Sequence, residues 1–315
     1  MEYMIELIFK IVFPLVLLGF LVIIFISSLS NKKPQQTLMN FDEFVKDWLK
    51  DHGQAHKVEE QFAKMKKDPM GALYMPMTYK GAKVFIKWGL TPNKVSYINL
   101  ILSFLIFYGV VMAGEGHALE LRYQQPFYGI WFFALGFLVI FTGIIDGIDG
   151  AIARLLDIKS KSGAWLDNVI DRISDVLLLI CLIPGNFLVF SNYGLDFTWM
   201  IWINIFLIFI YEYMRARHEG LGLLETKPYP GERVTRILII GSCFLIYGIS
   251  SFMIIITDLI NPSFTIIWLE LHYGATTWCM LIFQIILLGI MAFSSIQLAK
   301  YSFRQLKQMD RNSKN

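Results

Sequence analysis

The stretch DGIDGAIARLLDIKSKSGAWLDNVID, residues 146–171, places four aspartates beside two long apolar runs. Asp146 and Asp149 are three residues apart, and Asp167 and Asp171 are four apart. Residues at these spacings project from one face of a helix, so each helix would present one pair of carboxylates. The polar linker LLDIKSKSG is short, which predicts two antiparallel neighbouring helices. The sequence therefore predicts that all four carboxylates converge on one place.

Four carboxylates at membrane depth require compensating cations, because each unpaired charge costs on the order of several kcal/mol there. No His or Cys lies nearby, and hard carboxylate oxygens favour Mg²⁺ or Mn²⁺ over zinc. Four negative charges are enough to hold two such ions, and paired metal ions suit phosphoryl chemistry. We therefore predict a metal site with two ions of Mg²⁺ or Mn²⁺, formed by Asp146, Asp149, Asp167 and Asp171.

Small residues and one arginine accompany the aspartates. Gly150, Ala153 and Gly163 lack bulky side chains, so a flat or phosphorylated ligand could approach the helix backbones. Arg154 lies at the end of the first helix, where a planar guanidinium can bind phosphate oxygens. These residues predict a diphosphate site. The alternative is a polar contact that only joins two helices, but such a contact needs one or two polar groups, not four like charges.

The same stretch resembles the signature of the CDP-alcohol phosphotransferase family, which reads DxxDG, then AR, then eight residues, then GxxxDxxxD. The matching positions are Asp146, Asp149, Gly150, Ala153, Arg154, Gly163, Asp167 and Asp171. The resemblance implies a six-span enzyme that transfers a phosphatidyl-type group from a CDP-linked lipid, such as CDP-diacylglycerol, to a small polar acceptor and releases CMP. Asp171 would complete the metal site and act as the catalytic base toward the acceptor hydroxyl. Homodimerisation is a further expectation from the resemblance.

Hydrophobic residues make up 56% of the 315-residue chain, and several apolar runs exceed the roughly 20 residues that cross a bilayer. We predict an all-α polytopic membrane protein in which one N-terminal transmembrane helix precedes a six-helix catalytic core. The seven predicted spans cover residues 5–29, 93–114, 127–155, 164–190, 197–218, 234–259 and 273–300.

The predicted domain order is an anchor at 1–30, a cytoplasmic amphipathic segment at 31–90, the core at 91–308 and a tail at 309–315. No basic cluster precedes the first apolar run and no small-residue cleavage pattern follows it, which favours a retained anchor over a signal peptide. The stretch FDEFVKDWLKDH, residues 41–52, predicts an amphipathic helix. Such a helix could lie on the membrane surface, pack on the core or serve as a solvated connector.

Loop charge predicts the orientation. Residues 31–90 carry eleven Lys. The other basic loops are 155–162, 215–236 and 300–314, whereas 185–196 and 258–272 have neither Lys nor Arg. By the positive-inside rule, we expect an integral protein of the cytoplasmic membrane with its active site facing the cytoplasm and its N-terminus outside. Anionic lipid headgroups explain the basic loops, and no nucleic-acid-binding pattern accompanies them.

Two further segments carry expected ligand-binding residues. Pro92 and Asn93 form a helix start signal ahead of the first core run, and the resemblance implies that Asn93 lies near the cytidine of the CDP-linked lipid. The segments YMRAR and GERVTR resemble those with which relatives bind a phosphorylated acceptor. This implies that Arg215, Arg217 and Arg233 bind the acceptor phosphate. A general role of this basic loop in membrane topology is the alternative.

The acceptor is left open by the sequence. Members that use inositol phosphate tend to carry Arg after a late Gln, whereas Gln297 is followed by Leu298 here. Glycerol 3-phosphate is therefore favoured over inositol phosphate, and an unphosphorylated alcohol, as in CDP-choline or CDP-ethanolamine chemistry, ranks third. A divalent-cation transporter would need polar residues continuing to the outer face, where the spans offer few. A non-catalytic scaffold would be expected to lack at least one carboxylate, and all four are present.

Overall fold

The computed structural model of the chain describes residues 8–31, 38–51, 57–123, 128–190, 193–223 and 229–312. Within these ranges there are ten α-helices: α1 Phe13–Leu29, α2 Phe41–Leu49, α3 Val58–Met65, α4 Pro69–Lys87, α5 Pro92–Tyr123, α6 Trp131–Leu155, α7 Lys161–Ile180, α8 Trp199–Gly220, α9 Arg233–Ile260 and α10 Thr265–Asn312. A π-helical turn, Ile8–Val12, precedes α1, and 3₁₀ turns at Tyr128–Ile130 and Pro262–Phe264 precede α6 and α10. The predicted all-α polytopic class is confirmed.

Six helical segments are long and apolar enough to cross a bilayer in the described part of the chain: Ile8–Leu29, Pro92–Gly114, Trp131–Leu155, Trp199–Gly220, Arg233–Thr257 and Gly274–Asn312. They coincide with six of the seven predicted spans, and the protein is an integral membrane protein. The remaining predicted span, 164–190, corresponds to α7, whose charged residues exclude it from this set. Its crossing of the membrane stays a prediction.

The predicted span 164–190 does not stay helical to its end. Here α7 ends at Ile180, and a series of turns leads to two short antiparallel strands, β1 Val189–Phe190 and β2 Leu195–Asp196. The sequence contains the reason, because Pro184 disfavours helical backbone at the preceding residue and Gly185 has little helix propensity. Because this region is apolar, its composition did not indicate that the helix ends there.

The chain divides into two compact units. Unit 1 comprises Met1–Leu105 and Phe141–Ser174, and unit 2 comprises Ile106–Ile140 and Asp175–Asn315. The division falls within α5, α6 and α7, so each of these helices contributes residues to both units.

The amphipathic helix α2 packs on the core of unit 1. Asn40 caps its N-terminus in a reciprocal pair of hydrogen bonds with Glu43. On its apolar face, Phe44, Val45 and Leu49 are buried in a hydrophobic cluster that also contains residues of α4 and α6. Packing on the core is therefore the alternative that the structure selects. Residue 52, the last of the predicted helix, lies outside the described residues.

A tight turn at Gly89 ties the end of α1 to the start of α5. Gly89 adopts φ +75°, and a Cβ there would collide with the carbonyl oxygen of Ser28. The Asn31 amide donates to the Gly89 carbonyl at 2.6 Å, and Lys94 Nζ donates to Ser28 Oγ at 3.1 Å. Pro92 opens α5 as the start signal predicted. The anchor thus packs against the helix entry that carries Asn93.

Unit 2 has its own apolar core, built mainly on α8, α9 and α10. Phe132, Phe187, Phe244 and Tyr247 form an aromatic cluster in which ring centroids are 4.3–6.0 Å apart. A buried hydrogen bond from Asn204 to Gln284 joins α8 to α10 at 2.7 Å. Aromatic packing of this kind fixes the helices that hold the charged residues of unit 2.

Candidate metal centre and its surroundings

Three of the predicted carboxylates come together within unit 1. Asp146 on α6 and Asp167 and Asp171 on α7 each offer an oxygen, and these oxygens all lie within 4.8 Å of one another. Asp171 is buried, and the other two are partly buried. The linker between the helices turns sharply at Asp157, which adopts φ +53°. This turn returns the chain so that residues on consecutive helices share one site.

Asp149 is held in a different way. Its Oδ2 accepts a hydrogen bond from Ser96 Oγ at 2.6 Å, and its Oδ1 accepts one from the Gly150 backbone at 2.5 Å. The carboxyl group of Asp149 also contacts that of Asp167. The fourth aspartate thus adjoins the cluster through Asp167. Sequence reasoning missed Ser96, because it lies on α5, 53 residues away along the chain.

One cation of the chain lies within the acidic cluster. Arg172 follows Asp171 on α7, and its Nη2 lies 3.8 Å from Asp171 Oδ2. It also acts electrostatically on Asp167. Sequence reasoning did not assign Arg172 a role, although its position next to Asp171 was the available signal. Carboxyl groups in contact, such as those of Asp149 and Asp167, need a shared proton or a cation.

The donor set fits a hard divalent cation. Opposite ligands of an octahedral Mg²⁺ ion with bonds of about 2.1 Å lie about 4.2 Å apart. The oxygens of Asp146, Asp167 and Asp171 lie within 4.8 Å of one another, which is close to that distance between opposite ligands. All the donors are carboxylate oxygens, which suit Mg²⁺ or Mn²⁺ and do not suit a thiophilic metal. When bound, such an ion would polarise phosphoryl oxygens and offset their charge.

Arg154 and Gly150 adjoin this cluster on α6. The position that a Cβ of Gly150 would occupy lies only 2.9 Å from Arg154 Nη1, so a side chain there would displace the guanidinium. The Nε of Arg154 donates to Asp51 Oδ2 at 3.1 Å. Ala153 is partly buried on the same helix. The small residues therefore leave space along α6. The guanidinium of Arg154 occupies the space beside Gly150.

Asn93 and Gly163 lie next to each other although they are far apart in sequence. Asn93 Oδ1 lies 3.4 Å from the position that a Cβ of Gly163 would occupy. The backbone N–H of Gly163 donates to Ser160 Oγ at 3.1 Å, which caps the start of α7. The start of α5 and the start of α7 thus meet at two of the residues expected to contact the CDP-linked lipid.

The predicted acceptor-binding arginines lie in unit 2 in three different environments. Arg215 on α8 is partly buried, and its Nε lies 3.5 Å from Glu219 Oε1 one turn later. Arg217 is exposed at the end of the same helix. Arg233, at the start of α9, is buried, and its Nε lies 3.6 Å from Asp175 Oδ1. The loop residues 224–228 between α8 and α9 lie outside the described residues.

A buried ion network surrounds Arg233. Arg236 is 1% exposed, and its Nη2 binds Asp175 at 2.8 Å and Glu212 at 2.9 Å. Its Nη1 donates to the Gly231 carbonyl at 2.7 Å. Two guanidinium groups thus meet two carboxylates contributed by α7 and α8. Sequence reasoning missed Asp175 and Glu212, although a carboxylate inside an apolar helix signals a cationic partner.

Glu232, which precedes α9 and lies outside the membrane-spanning helices, has a shifted pKa. Burial raises the pKa of Glu232 above its ordinary value, and the nearby cations Arg215 and Arg236 only partly oppose that rise. The carboxyl group of Glu232 is therefore partly dehydrated at the start of α9.

These features define a helical membrane protein with a group of three carboxylates that could hold a metal ion. A family model described as CDP-alcohol phosphatidyltransferase matches residues 89–270, more than half of the chain. The chain belongs to this family of phosphotransferase enzymes of phospholipid synthesis. The resemblance expected from the aspartate signature is confirmed.

Three relatives illustrate the likeness. An archaetidylinositol phosphate synthase of Pyrococcus horikoshii is 26% identical over 57% of this chain and 83% of its own length. A phosphatidylcholine synthase of Rhizobium meliloti is 41% identical over 24% of this chain and 27% of its own length. A crystal structure of Mycobacterium tuberculosis phosphatidylinositol phosphate synthase with CDP-DAG bound is 20% identical, covers 72% of this chain and 93% of that chain, and has a TM-score of 0.47. The chain spans 44% and 48% of two further curated relatives.

Proposed function

We propose that the protein transfers a phosphatidyl-type group from a CDP-linked lipid, CDP-diacylglycerol or similar, to a small polar alcohol and releases CMP. The observation that carries the proposal is the close grouping of carboxylates in unit 1. Three carboxylate oxygens lie within 4.8 Å of one another and a fourth carboxyl group contacts Asp167, while Arg172 contributes one positive charge. Carboxylates grouped this closely suit bound divalent cations, and family membership supplies the chemistry.

In the proposed reaction, the acceptor hydroxyl oxygen attacks the phosphorus that is bonded to the lipid alcohol. A new P–O bond forms as the bond to the CMP oxygen breaks, and CMP leaves with the bonding electron pair. Asp171 takes the acceptor proton. Its burial and its contact with Arg172 keep its carboxyl group within the cluster. Bound Mg²⁺ or Mn²⁺ would offset charge on the phosphates.

The remaining site residues have distinct proposed roles. Asp146, Asp149 and Asp167 hold the metal, as two ions, and Asp171 completes the site. The CDP-linked lipid is bound by residues whose described positions adjoin the cluster or the starts of α5 and α7: Asn93, Gly150, Ala153, Arg154 and Gly163. The close approach of Asn93 to Gly163 and of Arg154 to Gly150 supports their grouping on one ligand.

For the acceptor, we infer a phosphorylated alcohol bound by Arg215, Arg217 and Arg233. The likeness to an archaetidylinositol phosphate synthase over most of that protein supports inositol phosphate, and glycerol 3-phosphate is the other member of this class. The match to a phosphatidylcholine synthase supports an unphosphorylated acceptor as the second candidate, although it covers only 24% of the chain.

We further propose that the site faces the cytoplasm, that the N-terminus is outside, and that the active form is a homodimer. Loop charge supports the orientation. The domain order of anchor 1–30, amphipathic segment 31–90, core 91–308 and tail 309–315 belongs to the same proposal. Packing of α2 in unit 1 supports a structural link between the segment 31–90 and the core.

An acceptor screen tests the proposal. Purified protein is incubated with CDP-diacylglycerol and Mg²⁺ or Mn²⁺, candidate alcohols are supplied one at a time, and CMP is measured by chromatography. CMP release that depends on both metal and one acceptor is expected, with inositol phosphate and glycerol 3-phosphate as the first compounds to try. Uptake of divalent cations into proteoliposomes without CMP release from any acceptor would instead favour a transporter.

A further inference from the structure

The segment ahead of the core contributes two acidic residues to the rim of the site. Asp47 on α2 and Asp51, which follows the end of that helix, are four residues apart and project toward the end of α6. The opposite face of α2 is fixed by burial of Phe44, Val45 and Leu49. The acidic pair is thus presented by a docked helix with a defined orientation.

Both acidic residues bind Lys159 in the linker between α6 and α7. Lys159 Nζ lies 3.0 Å from Asp47 Oδ2 and 3.2 Å from each carboxylate oxygen of Asp51. Partial burial opposes the charge, but the hydrogen bonds to Asp47 and Asp51 raise the pKa of the Lys159 amine, which stays charged at neutral pH. Lys159 therefore joins the docked segment to the linker.

Asp51 makes one contact that Asp47 does not. Its Oδ2 accepts a hydrogen bond from Arg154 Nε at 3.1 Å, a charge-assisted interaction with a side chain that is only 14% exposed. The contact engages the Nε edge of the guanidinium, while Nη1 lies over Gly150. A carboxylate that engages this edge fixes the plane of the guanidinium and keeps it against the helix that carries the aspartates.

We propose that Asp51 is a positioning residue that orients the Arg154 guanidinium for the diphosphate of the CDP-linked lipid. This inference rests on the proposed function and deepens it. Asp51 acts through Arg154 and does not touch the substrate. A flexible arginine would have to be ordered when the substrate binds, and an arginine already held by Asp51 avoids most of that loss of entropy. The segment 31–90 thus takes part in substrate recognition.

The test compares Asp51→Asn with Asp47→Asn in the full-length, metal-loaded protein. Asp47 shares Lys159 as a partner, whereas among the described residues the hydrogen bond of Arg154 Nε goes to Asp51, so Asp47 is a matched control. Binding of CDP-diacylglycerol in detergent micelles gives Kd, and CMP release with the acceptor found in the screen gives KM and kcat. For Asp51→Asn we expect Kd and KM to rise about fivefold with kcat within about twofold, because a contact that orients the ligand site is lost. Asp47→Asn should stay within about twofold of wild type.

Two further variants distinguish a positioning role of Asp51 from a general loss of structure. Asp51→Glu keeps the carboxylate and should restore most of the affinity. In an Arg154→Ala background, Asp51→Asn should cause no additional loss, since the two residues act as a unit. Wild-type affinity in Asp51→Asn, an additive loss in the double variant, or tighter binding in Asp51→Asn would each overturn the inference, the last by indicating an inhibitory contact.

The design distinguishes this failure from failure of the proposed function. If the wild-type protein neither binds CDP-diacylglycerol nor releases CMP, the proposed function is wrong and the inference falls with it. If the wild type is active but Arg154→Ala binds the lipid normally, Arg154 does not hold the diphosphate and Asp51 has nothing to orient. If Arg154→Ala is impaired and Asp51→Asn is not, only the positioning role is wrong.

Discussion

Two groups of buried charges in this protein differ in how they are balanced. In unit 2, Asp175 and Glu212 meet Arg233 and Arg236, so two carboxylates face two guanidinium groups. In unit 1, the oxygens of Asp146, Asp167 and Asp171 lie within 4.8 Å of one another, and the carboxyl group of Asp149 contacts that of Asp167.

The difference shows how charged side chains that stabilise the fold can be distinguished from those that bind a ligand in an apolar helical protein. Charges that serve packing are neutralised by other side chains, because an unpaired ion inside the protein is strongly unfavourable. Carboxylates that serve a metal ion are instead grouped with one another, because the bound cation compensates their charge. Substitutions in each group of charges test this distinction.

Asp171→Asn should cause the largest functional loss. Removing the proposed base should lower kcat for CMP release by about 1000-fold, within the range for a general base, while the isosteric amide largely retains metal and CDP-lipid binding. The measurement is CMP release beside Mn²⁺ binding by calorimetry. Near-normal turnover would remove Asp171 from the role of base.

Arg236→Met should cause the largest loss of stability. The change removes the guanidinium that binds both the buried Asp175 and the partly buried Glu212, which we expect to cost about 3–5 kcal/mol. Thermal unfolding in detergent, followed by tryptophan fluorescence, measures the effect. Arg304→Met, at an exposed position of α10, serves as the control. Equal melting temperatures for both variants would contradict a structural role for the network.

Metal ions should stabilise unit 1 in a way that depends on its aspartates. At a Mn²⁺ concentration of about 100 times Kd, mass action predicts about 2.7 kcal/mol of added stability for the wild type. Asp167→Asn should lose this gain, yet in metal-free buffer it should unfold no earlier than the wild type, since one of several like charges is gone. A wild-type melting temperature that does not respond to Mg²⁺ or Mn²⁺ would argue against the metal site.

Ser96→Ala should produce a smaller change in metal affinity. The hydroxyl holds Asp149 by a 2.6 Å hydrogen bond, and loss of an outer partner of a metal ligand lowers affinity by about tenfold. Ser103→Ala is matched, because Ser103 is also buried on α5 but donates to the Asn99 carbonyl. Equal Mn²⁺ affinities in the two variants would show that Asp149 does not depend on Ser96.

Prediction from sequence succeeded where the signal was local. Helical periodicity and apolar length located six spans, and Pro92 marked the start of α5. Prediction failed where a local break was masked by apolar composition, as after Ile180, and where a partner lay far along the chain. No sequence pattern around Ser96, Asp175 or Glu212 identifies the residues that they contact.

The sequence by itself determined that this is a helical membrane protein of the CDP-alcohol phosphatidyltransferase family, because spacing and apolar length are properties of consecutive residues. Only the tertiary structure decided that α2 packs on the core and that Asp51 reaches Arg154, 103 residues away in sequence. It alone also decided that Arg236 binds the carboxylates of Asp175 and Glu212. Such pairings depend on how distant helices pack, and one helix does not encode the position of its neighbours.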